Sequence, residues 1–291
     1  MTNGPSGQDH SAVHAAFTEG RTAVITGGAS GIGLAVATRC ATLGMKICIA
    51  DVDELALAAA SKSLAGAVDG VEVLTVPTDV SELAQVQELK RAVLERFGEI
   101  AVLMNNAGTG PGGGPWSRYE GWQRVMAINL WGVINGVHTF SETLIEQGTP
   151  CAIINTGSKQ GITNPPGDAA YNVTKAGVKA ITESLAHQLR QIEGHQVSAH
   201  LLVPGFTYTG LIKRHLPEQP PGAWTPEQVA DELLRRVGLG DFYIICPDND
   251  VTTEMDNKRI QWAAGDMTEN RSALSRWDLD YEDAFQEFMQ Q

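Results

Sequence analysis

Basic residues are scarce in this sequence. Its 291 residues include 21 lysines and arginines against 34 aspartates and glutamates, which gives a formal net charge of −13. Proteins that bind DNA or RNA use lysine and arginine to neutralise phosphates, so this charge argues against a nucleic acid partner. No apolar run is long enough to cross a bilayer, and the first 19 residues lack the charged and apolar regions of a secretory signal. The sequence therefore predicts a protein that binds neither nucleic acid nor membrane.

Cysteine is equally sparse, and its spacing excludes a disulfide framework. The four cysteines form no C-x-x-C pair, and three of them fall in apolar, strand-like runs. Such residues behave as small buried hydrophobes with free thiols, which is typical of a reducing compartment. The sequence thus predicts a cytoplasmic protein. The residues concerned are Cys40, Cys48, Cys151 and Cys246.

Patterns of metal ligands are also missing. His10 and His14 are four apart but have no further ligands nearby. Asp248 and Asp250 resemble the start of a calcium loop, yet the glycine and the distal glutamate of such a loop are absent. No metal site is predicted, and the two aspartates are expected in a solvated turn.

Apolar strand-like runs alternate with helical patterns along most of the chain. Strands that are almost wholly apolar and separated by helices are typical of a parallel sheet built from right-handed β-α-β units. The sequence therefore predicts an α/β protein with a Rossmann-type, doubly wound sheet of seven parallel strands and helices on both faces. The strand-like runs are residues 22–25, 46–50, 71–76, 100–104, 152–155, 197–203 and 242–246.

Three segments follow from this pattern. Residues 1–19 are expected to be a disordered lead-in, and residues 20–246 a single catalytic domain. Within that domain, residues 206–224 are rich in proline and aromatic side chains and are expected to form a substrate lid. Residues 247–291 are expected to be a helical C-terminal extension.

A glycine-rich turn lies between the first strand and the first helix. Gly27, Gly31 and Gly33 let the backbone approach a ligand closely, and the helix that follows presents its positive end to a pyrophosphate. Asp51 ends the second strand, 18 residues after Gly33. A carboxylate there accepts hydrogen bonds from ribose hydroxyls and repels a 2′-phosphate. Because no basic residue follows Asp51 closely, the pattern favours NAD over NADP.

Tyr171 and Lys175 are four residues apart at the start of a helical run, so both side chains lie on one face. A free phenol has a pKa near about 10, and a neighbouring ammonium group lowers the pKa of a phenol. Lys175 is therefore predicted to lower the pKa of Tyr171, with help from an oxidised nicotinamide. The hydroxyl of Ser158 can donate to a substrate oxygen on which charge develops. This set suits proton transfer at a carbinol oxygen.

Together these motifs resemble those of the short-chain dehydrogenase/reductase family. The matching elements are T-G-x-x-x-G-x-G at residues 26–33, N-N-A-G at 105–108, the serine at 158, Y-x-x-x-K at 171–175 and P-G at 204–205. The resemblance extends over about residues 20–246. It implies a Rossmann-type fold and a nicotinamide-dependent oxidoreductase.

The resemblance also implies roles for individual residues. Tyr171 would be the acid/base, Ser158 would position the substrate oxygen, and Lys175 would bind the nicotinamide ribose. Asn129 would complete the catalytic set by supporting a water next to Lys175. Asp79 and Val80 would contact adenine, although Asp79 is equally suited to capping a helix; Asn106 would lie on the adenosine side and Thr207 at the carboxamide. The full set of predicted cofactor-binding residues is Gly27, Ser30, Gly31, Ile32, Gly33, Asp51, Asp79, Val80, Asn106, Ala107, Gly108, Tyr171, Lys175, Pro204, Gly205 and Thr207.

We therefore predict an NAD(H)-dependent oxidoreductase that interconverts a secondary alcohol and a ketone. Two alternatives remain open: a reductase of C=N or C=C bonds that uses the same residues, and a nucleotide-sensing scaffold without catalysis. The long tail replaces the glycine-rich end that often helps tetramers of this family to form, so either a homodimer or a homotetramer is expected. Side chains around the cleft favour a small apolar or aryl substrate, or are core residues: Trp116, Gln160, Ile162, Phe206, Tyr208 and Trp224.

Overall fold

Seven strands pair in parallel to form one sheet with the order β3-β2-β1-β4-β5-β6-β7. The computed structural model describes residues 13–213 and 216–291, except for the side chain of Leu211. The winding direction reverses between β1 and β4, where ligands bind in sheets of this type. The prediction of seven parallel strands is confirmed. The strands are β1 (Thr22–Thr26), β2 (Lys46–Asp51), β3 (Val73–Pro77), β4 (Val102–Asn105), β5 (Cys151–Thr156), β6 (Val197–Val203) and β7 (Tyr243–Ile245).

Helices cover both faces of the sheet, which explains why the strands are apolar on both sides. Along β1, Val24 belongs to the core on one face and Ile25 to the core on the other. The helices before the lid are α1 (Gly31–Thr42), α2 (Glu54–Ala67), α3 (Leu83–Phe97), α4 (Tyr119–Val125), α5 (Gly132–Glu146), α6 (Gln160–Thr163) and α7 (Ala169–Leu189). The remaining helices are α8 (Gly210–Lys213), which lies within residues 206–224, and then α9 (Pro226–Gly238), α10 (Thr253–Thr268) and α11 (Glu282–Gln290).

Three helix boundaries differ from the sequence pattern. The helix α7 begins at Ala169, two residues before Tyr171, because the carboxylate of Asp168 caps it. The amphipathic run over residues 81–97 predicts a helix capped by Ser81, but α3 begins at Leu83 with Glu82 as its N-cap, so that prediction is wrong. The sequence has helical character from about Tyr119 to Ile145, and a π-helical turn over Met126–Trp131 divides this segment.

The C-terminal extension packs around a single tryptophan. Trp262 on α10 is buried, and its ring centroid lies 5.3 Å from those of both Phe285 and Phe288. Its indole N–H donates to Ser275 Oγ at 2.8 Å, and the guanidinium of Arg271 lies 4.0 Å from the ring centroid. The extension thus has a small core of its own.

The packed chain begins earlier than the boundary expected at Glu19. Ala16 and Phe17 are buried in the main core, and His14 Nε2 lies 3.3 Å from Ser198 Oγ. Residues 14–17 are therefore packed against the domain, whereas the sequence predicted a disordered lead-in up to residue 19. His10, weighed as a metal ligand, lies outside the described residues.

All four cysteines are buried and free, as predicted. Burial raises the pKa of Cys40 and of Cys246 to about 12, so both stay protonated at neutral pH. Across the described residues, no helix combines the length and apolar character that a bilayer-crossing segment needs.

Candidate active site

Ser158 and Tyr171 meet at the carboxyl edge of the sheet. Ser158 follows the end of β5, and Tyr171 lies on the first turn of α7. Ser158 lies close enough to the Tyr171 hydroxyl to influence its pKa, and Ser158 Oγ accepts from the Gln160 N–H at 3.2 Å. The structure therefore brings together the two side chains that the sequence analysis assigned to one site.

The chain's own groups raise the pKa of Tyr171 rather than lower it. Burial of the phenol raises this pKa most; the Ser158 hydrogen bond lowers it, and the negative charge of Asp168 raises it further. Without a nicotinamide the net shift is therefore upward, and the predicted lowering by Lys175 together with an oxidised nicotinamide stays a prediction. Tyr171 is consequently protonated, and a proton donor, at neutral pH.

Lys175 is enclosed beneath the tyrosine. Its side chain is buried, its Nζ donates to the Thr156 carbonyl oxygen at 2.8 Å, and it lies 5.7 Å from the Tyr171 ring centroid. Burial lowers the pKa of Lys175 to about 8, because a single carbonyl partner replaces only part of the lost hydration. A substantial fraction of the lysine is therefore neutral near pH 8.

Asn129 lies in the π-helical turn between α4 and α5. Such turns occur often at functional sites because they redirect one residue out of the regular helix. Asn129 is fully buried; its Oδ1 accepts from the Thr109 N–H at 2.7 Å, and its Nδ2 donates to the Thr109 carbonyl at 2.8 Å. Its side chain thus fixes the loop after β4. The role with a water beside Lys175 stays a prediction.

Gly108 brings this loop close to Lys175. A Cβ atom at Gly108 would lie 3.5 Å from Asn129 Oδ1 and 3.8 Å from Lys175 Nζ. The structure therefore gathers Gly108, Asn129, Lys175 and Tyr171 around one space.

The glycine turn has the shape that close contact with a ligand requires. Gly27 and Gly31 have φ angles of +61° and +54°, a region that favours glycine. A Cβ at Gly27 would lie 2.8 Å from the Ala107 Cα. The side-chain amide of Asn106 donates to the carbonyls of Thr26 and Gly27 at 3.1 and 3.3 Å. Asn106 therefore holds the turn in place.

The start of α1 is open to an anion. Ser30 is its N-cap residue but forms no side-chain cap, and the first turn contains no acidic residue. The helix N–H groups and the positive end of the helix dipole therefore keep their capacity for a pyrophosphate. Ile32, also predicted to bind the cofactor, lies on this first turn.

Asp51 lies beside the glycine turn. Its Oδ2 accepts from the Ala29 N–H at 3.3 Å, and its Oδ1 accepts from the Asp53 N–H at the same distance. These bonds orient the carboxylate at the end of β2, next to the predicted ribose position. The residues of this region fit a dinucleotide.

Asp79 and Val80 both have structural contacts. Asp79 Oδ1 accepts from the N–H and the hydroxyl of Ser81 at 2.9 and 2.7 Å, so it stabilises the turn before α3. Val80 is buried, and its carbonyl accepts from Asn135 Nδ2 at 2.9 Å. Their predicted contacts with adenine remain predictions.

The loop after β6 folds over the glycine turn. Following Pro204 and Gly205, Thr207 is buried, and its hydroxyl donates to the Gly205 carbonyl at 3.1 Å. Thr209 lies nearer the turn: its Cγ2 is 3.4 Å from where a Cβ of Gly31 would stand. Sequence reasoning missed Thr209, although a second threonine two residues after Thr207 was a signal.

Asp168 is the other residue that sequence reasoning missed. Its Oδ1 accepts from the N–H groups of Gly112, Gly113 and Tyr171 at 3.1, 2.8 and 3.3 Å. It therefore links the loop after β4 to the start of α7. An aspartate three residues before Tyr171, where the helix begins, was the available signal.

The predicted substrate residues separate into two groups. Gln160 and Ile162 lie on α6 and line a cavity, and Phe206 is exposed on the loop after β6. By contrast, the Tyr208 hydroxyl donates to the Leu216 and Pro217 carbonyls, and Trp224 packs against the main core. The indole of Trp116 is 93% exposed.

Asp248 has a structural role instead of a place in a solvated turn. Its side chain is only 6% exposed, and its Oδ2 accepts from the Phe206 N–H at 3.2 Å and lies 3.4 Å from Lys159 Nζ. The expectation of a solvated turn is therefore wrong at this residue. Within 13–213 and 216–291, no group of three or more histidine, cysteine, aspartate or glutamate side chains is arranged to hold a metal ion.

The fold and the site define a class: nucleotide-binding α/β oxidoreductases with a serine, a tyrosine and a lysine at the carboxyl edge of the sheet. The sequence profile of the short chain dehydrogenase family matches residues 21–220. The chain belongs to this family, and it is an enzyme of the oxidoreductase kind.

Known proteins agree with this assignment. Levodione reductase of Leifsonia aquatica is 31% identical over 221 residues, which cover 75% of this chain and 80% of that protein. A short chain dehydrogenase/reductase from Burkholderia phymatum, solved in complex with NAD, has a TM-score of 0.79 and 36% identity, covering 87% of this chain and 96% of that one. A metagenomic short-chain oxidoreductase in complex with NADP has a TM-score of 0.66 and 28% identity, covering 79% of this chain and 98% of that one. Solved neighbours thus bind either nucleotide.

Proposed function

We propose that this enzyme is an NAD(H)-dependent oxidoreductase that interconverts a secondary alcohol and a ketone. The observation that supports this most is that Tyr171 lies beside Ser158 and Lys175 at the edge of the sheet that also carries the glycine turn. Both hydroxyls can reach one substrate oxygen, and a dinucleotide bound at the turn would supply or accept the hydride.

Each side chain has a defined task at that oxygen. Ser158 donates a hydrogen bond to the oxygen on which negative charge develops. In ketone reduction Tyr171 gives its proton to the same oxygen, and in alcohol oxidation it takes one away. Lys175 lies beneath the phenol and can return a proton towards it, since its pKa of about 8 allows both charge states near neutral pH.

Asp51 supports NAD rather than NADP as the preferred nucleotide. Its carboxylate lies next to the glycine turn, where a 2′-phosphate would meet a like charge. Replacing Asp51 by alanine together with an arginine at Val52 should raise the kcat/KM with NADPH relative to that with NADH. An unmodified enzyme that already prefers NADPH would contradict this proposal.

A small apolar or aryl ketone fits the residues near the site best. Ile162 lies four residues after Ser158 in the chain, and Phe206 is exposed on the loop that follows β6. Initial rates of NADH oxidation should be measured on matched panels of ketones, imines and enones. Turnover confined to imines or enones would overturn the proposed reaction, and no turnover on any panel would favour the non-catalytic scaffold.

We also propose that the enzyme works as a homo-oligomer in the cytoplasm. Four buried free thiols suit a reducing compartment. The edge strand β7 leaves Tyr243 45% exposed, so this edge can accept a second copy. Light scattering after size-exclusion chromatography should give the mass of a dimer or a tetramer, and a monomer would contradict the assembly.

A further inference from the structure

A cavity of about 280 Å³ separates α6 from the C-terminal extension. Neither Ser158 nor Tyr171 lines it, although Gln160 and Ile162 of the predicted substrate residues do. Its walls include three basic side chains, Lys159, Arg259 and Arg276. This is a notable concentration of positive charge in a chain whose net charge is −13.

The lysine in this cavity is already neutralised. Lys159 Nζ lies 2.6 Å from Asp256 Oδ2 and 3.4 Å from Asp248 Oδ2. Both carboxylates are almost fully buried, and they link α6 to the extension. The lysine therefore contributes no free charge to the cavity.

The two arginines are different. The Nε of Arg259 is buried and has no hydrogen-bond partner in the described part of the chain. The guanidinium of Arg276 lies 4.7 Å from the ring centroid of Trp277 and 5.5 Å from that of Phe285. Among the described residues neither arginine forms an ion pair, although the charge of Asp256, whose carboxylate pairs with Lys159, acts on both. Burial and the positive charge of Arg259 both lower the pKa of Arg276, with Asp256 acting in the opposite direction.

Two unpaired, partly buried guanidinium groups of like charge destabilise each other and the fold around them. A bound anion would remove this cost, because a guanidinium presents a planar pair of N–H donors that matches two oxygens of a carboxylate. The remaining walls of the cavity include Ile162, Ile245 and Ile260. These side chains favour a ligand with an apolar body behind its charged group.

We propose that this cavity binds a small organic carboxylate, with its carboxylate held by Arg259 and Arg276 and its apolar body against the isoleucines. The C-terminal extension is then part of a binding site, since it supplies both arginines. The site does not require the reaction proposed above.

Calorimetric titration of the full-length protein tests this directly. The probes are benzoate, its neutral isostere benzamide, and inorganic phosphate. Benzoate should bind more tightly than either of the others, since benzamide lacks the charge and phosphate lacks the apolar body. Benzamide or phosphate binding as tightly as benzoate would overturn the assigned ligand class, and so would a lack of benzoate binding.

Arginine variants locate the binding. Arg259→Gln and Arg276→Gln should each weaken benzoate binding by at least about tenfold. Arg91→Gln is the matched control, because Arg91 is exposed on α3, does not line the cavity and pairs with Glu88 and Glu95. This variant should bind benzoate like the unmodified protein. Equal affinity in all three variants would refute the site.

Folding of the variants is checked by their melting temperatures without ligand. Arg259→Gln removes one of two like charges, so its melting temperature should not fall below that of the unmodified protein. Arg259→Lys keeps the charge but loses the paired donors, and it should retain weaker binding than arginine. Undiminished binding in Arg259→Lys would contradict the two-donor geometry.

Discussion

Asp168 is predicted to join the loop after β4 to the catalytic helix, and its replacement measures that link. Its Oδ1 accepts from three backbone N–H groups, those of Gly112, Gly113 and Tyr171. Asp168→Ala leaves all three donors without their partner. At about 1 kcal/mol for each lost bond, the free energy of unfolding should fall by about 3 kcal/mol.

Asp168→Asn separates the hydrogen bonds from the charge. An asparagine Oδ1 can accept from the same three donors, so this variant should lose only about 1 kcal/mol. Its effect on chemistry should be larger than its effect on stability. The charge of Asp168 raises the pKa of Tyr171, so removing it lowers that pKa. If Tyr171 is the base in alcohol oxidation, the rising limb of kcat/KM should then move to lower pH.

Thermal and urea denaturation measure the stability of both variants. A loss of about 3 kcal/mol corresponds to a melting temperature lower by roughly 6–12 °C in a chain of this size. Asp53→Ala is the control, because Asp53 caps α2 through a single bond to the Ala56 N–H, and it should lose only about 1 kcal/mol. If Asp168→Ala melts no lower than Asp53→Ala, the link between loop and helix has no energetic weight.

Two further predictions concern His200 and the glycine turn. Burial lowers the pKa of His200 to about 4, so the unfolded chain binds more protons than the folded chain between pH 6.5 and 4. The free energy of unfolding should therefore fall by about 3 kcal/mol as the pH is lowered over this window. Urea denaturation of His200→Gln at both pH values should show a smaller fall. An unchanged fall would show that other groups cause the acid sensitivity. Gly27→Ala places a Cβ 2.8 Å from the Ala107 backbone and should weaken NADH binding strongly in fluorescence titration, whereas Gly70→Ala, which has a similar positive φ and open space, should cost stability alone. Equal NADH affinity in both glycine variants would contradict the proposal that the glycine turn binds the nucleotide.

Much of the site could be predicted because its chemistry follows local spacing. The i, i+4 relation of Tyr171 and Lys175 fixes a shared helix face, and apolar strands followed by glycines mark the nucleotide edge. The parallel sheet follows from alternation of strands and helices. These features depend on neighbours in the chain, which the sequence displays.

The remaining features depend on contacts between distant segments. The π-helical turn around Asn129 has no period of its own, and Asp168 finds Gly112 and Gly113 more than fifty residues away. The pKa of Tyr171 is raised because burial outweighs the effect of Ser158 and the charge of Asp168 adds to it, and burial is a property of the folded chain. The arginines of the extension lie opposite α6 across a cavity, a contact between segments that are far apart in the chain.

The central claim is that Tyr171 transfers the proton at the substrate oxygen. The most direct test is Tyr171→Phe, with NADH affinity and ketone turnover measured on the same preparation. Loss of the hydroxyl alone should leave the affinity within about twofold, while kcat falls by on the order of a thousandfold or more. Turnover close to that of the unmodified enzyme, with NADH still bound, would contradict the assignment of Tyr171.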